Sequence, residues 1–294
     1  MKKLIAGLVQ QSCTTDRAAN IQKSATAIRK AASRGAELVL LQELHAGPYF
    51  CQSENLEHFD LAETIPGPSS EAFASLAAEL KIVIVASFFE LRTPGLYHNT
   101  AVVFEKDGSI AGLYRKMHIP DDPGFYEKYY FTPGDLGFNP ICTSVGKLGV
   151  LVCWDQWFPE AARLMALSGA QLLLYPTAIG WGTGEPDSER SLMLDAWTTI
   201  QRSHAIANGL PLICANRVGF EPEGQNSDKG LIFWGNSFIA GPQGEFLAKA
   251  GGQADEVLIA PIDIARTQTV RRNWPFLRDR RVDAYGDLLR LYRD

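Results

Sequence analysis

Gly35-Ala36-Glu37-Leu38-Val39-Leu40 and Gly169-Ala170-Gln171-Leu172-Leu173-Leu174 are one pattern met twice. In each, a glycine closes a stretch with helical spacing, and a short continuous apolar strand follows. Upstream of the first copy lie a strand candidate, Leu4–Val9, and a helix, Asp16–Ser33, with Ile21, Ala25, Ile28 and Ala32 on one face. Downstream come a helix Ser69–Leu80 capped by Ser69 or Ser70, a strand Ile82–Ser87, and a hairpin of Asn99–Phe104 with Ile110–Tyr114 turning at Lys106-Asp107-Gly108. The second copy has similar neighbours. A strand Gly149–Cys153 and a helix Glu160–Ser168 behind Pro159 precede it, and a helix Ser188–Asn208, a strand Leu212–Ala215 and a hairpin from Asn236-Ser237-Phe238-Ile239-Ala240 follow. The echoes keep their order at offsets of about 130 to 140 residues, which marks an internal repeat.

The repeat predicts an α/β fold made of two β-α-β-α-β-β halves. Their strands are apolar without alternation, as expected where helices cover one face of a sheet and a second sheet covers the other. The expected architecture is a four-layer α-β-β-α sandwich. The 294 residues suit about two domains by length alone. No Ser/Gly/Pro linker lies near the midpoint, so residues 1–294 are expected to share one core.

Composition narrows the class. Hydrophobic residues at 46% and charged residues at 21% argue against disorder, collagen and a coiled coil. A net charge of −5 argues against a globally basic nucleic-acid binder. No apolar run approaches the roughly 20 residues of a membrane span. The run Met1–Val9 stops at Gln10-Gln11, short of a signal-peptide core, and reads as a buried first strand. The 5 cysteines form no C-x-x-C pair. No zinc-ligand spacing appears, and reduced thiols and a cytoplasmic location are therefore expected, with no nucleic-acid or membrane partner.

The strongest local chemical signal is Leu148-Gly149-Val150-Leu151-Val152-Cys153-Trp154-Asp155-Gln156-Trp157-Phe158-Pro159-Glu160. A cysteine ends an apolar strand just before a helix, which puts its sulfur at the C-terminal edge of a sheet, where α/β sites form. A cysteine without such context is more often a packing residue. A nucleophilic thiol needs a base, and none of the five histidines His45, His58, His98, His118 and His204 is marked as one by its local sequence. A buried carboxylate can serve instead. Glu43 closes Leu38-Val39-Leu40-Leu41-Gln42-Glu43 at the same kind of edge. Lys116, at the end of the second hairpin strand, could stabilise an oxyanion, although most strand-end lysines are simply solvated. Glu127 sits in an aromatic-rich stretch, Gly124–Phe131, suited to a desolvated carboxylate or to plain packing.

Together these residues resemble the nitrilase superfamily, whose members cleave non-peptide C–N bonds with Glu, Lys and Cys. Leu40-Leu41-Gln42-Glu43 fills the place of the glutamate motif, Tyr114-Arg115-Lys116-Met117-His118 matches the lysine motif, and Val152-Cys153-Trp154-Asp155 matches the cysteine motif. The resemblance spans nearly the whole chain and carries the same α-β-β-α sandwich. His118–Asp135, Cys153–Glu160, Tyr175–Gly180 and Arg278-Asp279-Arg280-Arg281 are similar to the N-carbamoylputrescine amidases within it. The segment Trp181–Arg190 and the Asn208-Gly209-Leu210-Pro211 stretch depart from that group's pattern.

The resemblance implies that Glu43 deprotonates Cys153, that Lys116 with the backbone N–H of Trp154 stabilises the oxyanion, and that Glu127 orients substrate and lysine. It implies hydrolysis of N-carbamoylputrescine to putrescine, CO2 and ammonia, as in polyamine biosynthesis, with no metal or organic cofactor. The alternatives are an N-carbamoyl amino acid or β-ureidopropionate hydrolase, a small aliphatic amidase, or a catalytically silent binding protein. A distal ammonium could be met by Asp121, Asp122 or Glu185, with Trp154, Trp181 and Tyr129 lining the channel. A distal carboxylate would instead need Arg190 or Arg202. The expected partners are a small ureido or amide substrate and copies of the chain itself, a dimer or higher, with the segment from about residue 265 used in the contact. Of the cysteines, Cys153 is expected to be the nucleophile and the other four packing.

Overall fold

Both glycines of the repeated pattern adopt the same left-handed turn, Gly35 and Gly169 each at φ +90°. The turn lets the next residue close the preceding helix. Ala36 N–H donates to the Ala31 carbonyl at 3.2 Å, and Ala170 N–H to the Met165 carbonyl at 3.0 Å. The structure is a computed structural model that describes residues 3–224 and 227–293. Met1 and Lys2 of the N-terminal run lie outside the described residues.

The first half runs β1 (Leu4–Gln10), α1 (Arg17–Ser33), β2 (Leu38–Leu40), α2 (Pro68–Leu80), β3 (Val83–Thr93), β4 (Leu96–Phe104) and β5 (Ile110–Arg115). The second runs β6 (Ile141–Thr143), β7 (Gly146–Val150), α3 (Pro159–Leu167), β8 (Leu172–Pro176), β9 (Gly180–Gly182), α4 (Asp187–Asn208), β10 (Leu212–Ala215), β11 (Val218–Pro222), β12 (Gly230–Trp234), β13 (Phe238–Ala240) and β14 (Phe246–Lys249). The chain ends through β15 (Glu256–Ile262) and α5 (Arg266–Asn273).

One six-stranded sheet has the order β15-β1-β2-β3-β4-β5 and the other β14-β13-β10-β8-β7-β6. The core of each follows the same rule. β1, β2 and β3 are parallel and continue antiparallel through β4 and β5, just as β7, β8 and β10 are parallel and continue antiparallel through β13 and β14. Each half thus carries one strand more than the β-α-β-α-β-β formula. A further antiparallel strand completes each sheet at its outer edge, β15 from the end of the second half on β1, and β6, which directly precedes β7, on β7.

Layering explains the lack of alternation. Along β2 to β4, Val39, Ile84 and Val102 face Ile28 and Ala31 of α1 and Phe73 and Leu76 of α2. Their neighbours Leu38, Leu40, Val83, Val85, Ala101 and Val103 face the other way, into one cluster with Leu148, Val150, Leu172, Leu174 and Leu212 of the second sheet. Both faces are dry there, so successive positions of both orientations are apolar. At Gly149 an added Cβ would stand 3.1 Å from Met165 and 3.1 Å from Ala170. The glycine is what lets the α3 layer close on the sheet.

Some boundaries differ from the sequence reading. β7 ends at Val150 and β2 at Leu40, so neither Cys153 nor Glu43 is a strand residue. The ladders carry on briefly through Leu151 N–H to Leu174 O (2.9 Å) and Leu41 N–H to Val85 O (3.0 Å), and then both chains turn away from their sheets. α2 begins at Pro68, and its cap is Gly67, whose N–H donates to Ser70 Oγ at 2.9 Å. A third sheet, β11-β12-β9, was not anticipated. It is built from short segments interrupted by Gly180, Gly182, Gly219 and Gly230. Cys142 on β6 is exposed rather than packed, while Cys51 and Cys214 are buried. No helix of the described residues is long and apolar enough to cross a membrane.

Candidate active site

The two turns that leave the sheets meet over the sandwich. Glu43 N–H donates to the Thr177 carbonyl at 3.3 Å, crossing from the first sheet to the second. Beyond it Leu44 sits at φ +48°, and on the other side Cys153 sits at φ +43° at the start of a 3-10 turn, Cys153–Trp157. A non-glycine residue in that region costs on the order of 1–3 kcal/mol and persists only where its surroundings hold it. The effect here is to aim the Cys153 side chain out of the sheet line, with its sulfur 3.8 Å from the Ala178 carbonyl oxygen.

Lys116 follows β5 directly, and its N–H to Asn99 O bond of 2.9 Å extends the ladder. The side chain is fully buried between two carboxylates. Nζ donates to Glu43 Oε1 at 2.8 Å and to Glu127 Oε2 at 2.7 Å. Glu127 lies in a 3-10 turn, Glu127–Tyr129, and its other oxygen accepts from the Tyr49 hydroxyl at 2.6 Å. Glu43 Oε1 also accepts from Asn99 Nδ2 at 2.6 Å. Its second oxygen, Oε2, is buried and has no hydrogen-bond partner among the described residues.

Charge follows from this packing. Burial pushes the Cys153 thiol well above the ordinary range, and the Glu43 charge adds to it against the pull of Lys116. The resting sulfur therefore carries its proton. Burial works against a charged Lys116, but Glu127 and Glu43 outweigh it and hold the ammonium well above the usual lysine value. Burial raises the Glu127 carboxyl to about 7 despite the opposing Lys116 charge. A buried base with an open lone pair, a fixed cation and a protonated thiol in one electrostatic neighbourhood can perform nucleophilic acyl transfer.

The same carboxylate chemistry supports the cysteine turn from below. Asp155, fully buried, accepts from Val152 N–H (2.8 Å), the Tyr114 hydroxyl (2.8 Å), and both His118 N–H (3.0 Å) and His118 Nδ1 (2.7 Å). Tyr114 and His118 flank Lys116, so one carboxylate locks the lysine segment to the cysteine segment. The His118 ring is stacked on Phe158 at 3.8 Å between centroids.

The other sequence candidates are spread more widely. Asp122 is half-buried, near enough for Lys116 to act on it. Burial raises its carboxyl, and Oδ1 is buried without a partner among the described residues. Asp121 is exposed. Tyr129 packs on Phe59 and Tyr130 in an aromatic cluster. Trp154 lies against Trp157. Trp181 donates its indole N–H to Arg190 O at 3.1 Å and leans on Trp234, and Glu185 sits in the tight turn after β9 with its N–H on Gly182 O. Sequence reasoning missed Tyr49, Asn99, Asp155, Arg217 and Glu221. A buried polar residue inside an apolar strand was the available signal for Asn99. The rest had none.

Comparison with known proteins agrees with this fold. The carbon-nitrogen hydrolase family model matches residues 5–272. The chain is 45% identical to an N-carbamoylputrescine amidase from Solanum lycopersicum, over 96% of this chain and 94% of that one. It is 42% identical to a citrullinase from Francisella tularensis, over 99% of this chain and 100% of the other. A crystal structure of a carbon-nitrogen hydrolase from Helicobacter pylori G27 superposes with a TM-score of 0.96 at 56% identity, covering 99% of each chain.

Proposed function

The chain belongs to the carbon-nitrogen hydrolase family of the nitrilase superfamily, and from that premise we propose that it hydrolyses N-carbamoylputrescine with Cys153 as nucleophile. The observation that carries the reading is the state of Glu43. One oxygen is held by Lys116 and Asn99, while the other is buried and unpartnered close to a protonated thiol. Glu43 takes the Cys153 proton as the sulfur attacks the ureido carbon. Lys116 stabilises the oxyanion, and Glu127 fixes Lys116 and meets the substrate. The intermediate collapses as Glu43 returns the proton to the departing nitrogen. Water, deprotonated by Glu43, then cleaves the carbamoyl thioester and restores the thiol. The carbamic acid released loses CO2, so one ureido group and one water yield amine, ammonia and CO2. No step calls for a metal or an organic cofactor.

The likeness to a citrullinase supports a second reading. Citrulline shares the ureido group and a distal ammonium but adds a carboxylate, which calls for a cation. The two arginines considered for that role are engaged elsewhere. Arg202 donates to Gly244 O at 2.6 Å and lies over Phe246, and Arg190 donates to Thr183 O at 3.2 Å and lies over Trp181. The unpartnered Asp122 oxygen supports an ammonium without a carboxylate.

We further propose that residues 1–294 act as one unit in the cytoplasm and assemble as a homo-oligomer, dimer or higher. Leu164, Leu167, Leu192, Trp274 and Phe276 leave exposed apolar surface on α3, α4 and the segment after α5. The test is ammonia release from N-carbamoylputrescine, citrulline, N-carbamoyl-β-alanine and butyramide, by wild type and by Cys153→Ala, with light scattering for assembly. N-carbamoylputrescine is expected to give the highest kcat/KM, and Cys153→Ala to release nothing. Preference for citrulline or carbamoyl-β-alanine overturns the substrate. Full turnover by Cys153→Ala overturns the mechanism.

A further inference from the structure

Arg217 lies between β10 and β11 and is fully buried. Nη2 donates to the Leu44 carbonyl at 2.7 Å and the Glu43 carbonyl at 3.2 Å. Nη1 donates to the Gly47 carbonyl at 2.8 Å and to Glu221 Oε1 at 2.6 Å. The second oxygen of Glu221 accepts from Tyr49 N–H at 2.5 Å, and the Tyr49 hydroxyl donates to Glu127 Oε1 at 2.6 Å. One guanidinium therefore reaches Glu43 through its own carbonyl and Glu127 through Glu221 and Tyr49.

We propose that Arg217 is the positioning residue of the site, fixing from the second half of the chain the two carboxylates between which Lys116 is held. The proposal rests on the roles assigned above to Glu43, Lys116, Glu127 and Cys153. An ion pair with Glu221 alone could be purely structural. The three carbonyls argue for more, because they belong to a single turn, Glu43 to Gly47, whose Leu44 occupies a backbone conformation L side chains rarely adopt. Holding that turn from one point needs donors that diverge in a plane. Arginine has them and lysine does not. The Glu43 side chain leaves from this turn, so the place of its unpartnered oxygen depends on the turn keeping its shape.

The test uses Arg217→Lys and Tyr49→Phe in the full chain. It measures kcat and KM on N-carbamoylputrescine across pH. In parallel it measures the rate at which iodoacetamide alkylates Cys153, read on the Cys153 peptide by mass spectrometry. Misplacement of a reacting group by ~1 Å can cost about 100-fold, so Arg217→Lys is expected to lower kcat by at least about tenfold. KM should stay near wild type, because an interaction realised in the transition state is lost rather than ground-state binding. Alkylation at Cys153 is expected to slow in step, since the thiol still needs Glu43 as base. Tyr49→Phe keeps the ring and loses only the hydroxyl whose hydrogen bond favours charged Glu127, so the acid limb of kcat should move to higher pH. Wild-type kcat, pH profile and alkylation rate in both variants overturn the proposal. So does a fall in kcat that only matches the unfolded fraction seen by near-UV circular dichroism. Wild type that releases ammonia from no ureido probe overturns the functional reading instead, and the alkylation rates then decide this proposal alone.

Discussion

Lys116→Met removes a cation from between two buried carboxylates and nearly preserves side-chain length. Two costs can be worked out. Nζ lies 2.8 Å from Glu43 and 2.7 Å from Glu127, with all three side chains essentially out of solvent. Breaking a buried pair by deleting one partner typically costs about 3–5 kcal/mol, because the remaining charge has no counterpart. Here two like charges remain, and Glu127 already titrates at about 7 because of burial. Without the ammonium that carboxyl rises further and takes a proton at neutral pH, which relieves part of the repulsion. The stability loss is therefore expected near 3 kcal/mol at pH 8, the low end of the ~3–5 range, and less at pH 6. The second cost is kinetic. Loss of one oxyanion donor lowers kcat by about 10²–10³, or ~2.7–4 kcal/mol. Urea unfolding at pH 6 and pH 8, alongside kcat/KM on N-carbamoylputrescine, measures both. A Lys116→Met enzyme within fivefold of wild type, or one whose stability loss is the same at both pH values, refutes the reasoning.

Two further outcomes follow from the same contacts. In wild type Glu127 is ionised above its folded value of about 7 and neutral below it. Activity is therefore expected to fall as pH drops through about 7, read as the acid limb of log kcat against pH. The same raised value means the folded state binds the Glu127 proton more tightly than the unfolded chain, so this group's contribution favours folding at low pH and is lost as pH rises through about 7. Asp155→Asn leaves a neutral amide where a carboxylate accepts from Val152, Tyr114 and His118. Hydrogen bonds to a charged group contribute about 1.5–3 kcal/mol each, so a drop of at least ~3 kcal/mol in urea unfolding is expected. An unchanged midpoint would show that the carboxylate does not lock the two segments.

Fold and site were legible to different depths. The repeat could be read because its marks are local. A glycine that must turn left-handed, Gly35 or Gly169, and the apolar strand behind it sit within a few residues of each other. Glu43, Lys116 and Cys153 could be singled out as candidates because each lies in a local motif just past an apolar strand. Their exact placement could not be read, because the strands stop early at Leu40 and Val150 where the chains must leave the sheets to meet. Arg217, Glu221 and Tyr49 were invisible for a related reason. Apart from the Arg217–Glu221 pair, their partners lie far away in the chain, with Arg217 reaching Leu44 and Tyr49 reaching Glu127. Nothing in the neighbouring letters separates a buried arginine from a solvated one. The third sheet escaped because its strands are short and interrupted by glycine.

The pairing of β15 with β1 has a consequence for synthesis. β1 leaves the ribosome well before the strand that covers its outer edge, Glu256–Ile262, because about 245 residues separate the two. Those intervening residues take on the order of 10–50 s to make at ~5–20 residues per second. Over that interval the nascent first sheet keeps an open, apolar edge, the kind of surface that pairs with other chains. The protein thus completes its earlier sheet with a strand made much later. The vulnerable period of its life is fixed by translation speed, and cellular aggregation should respond to slow codons between the two strands more than to the stability of the finished enzyme.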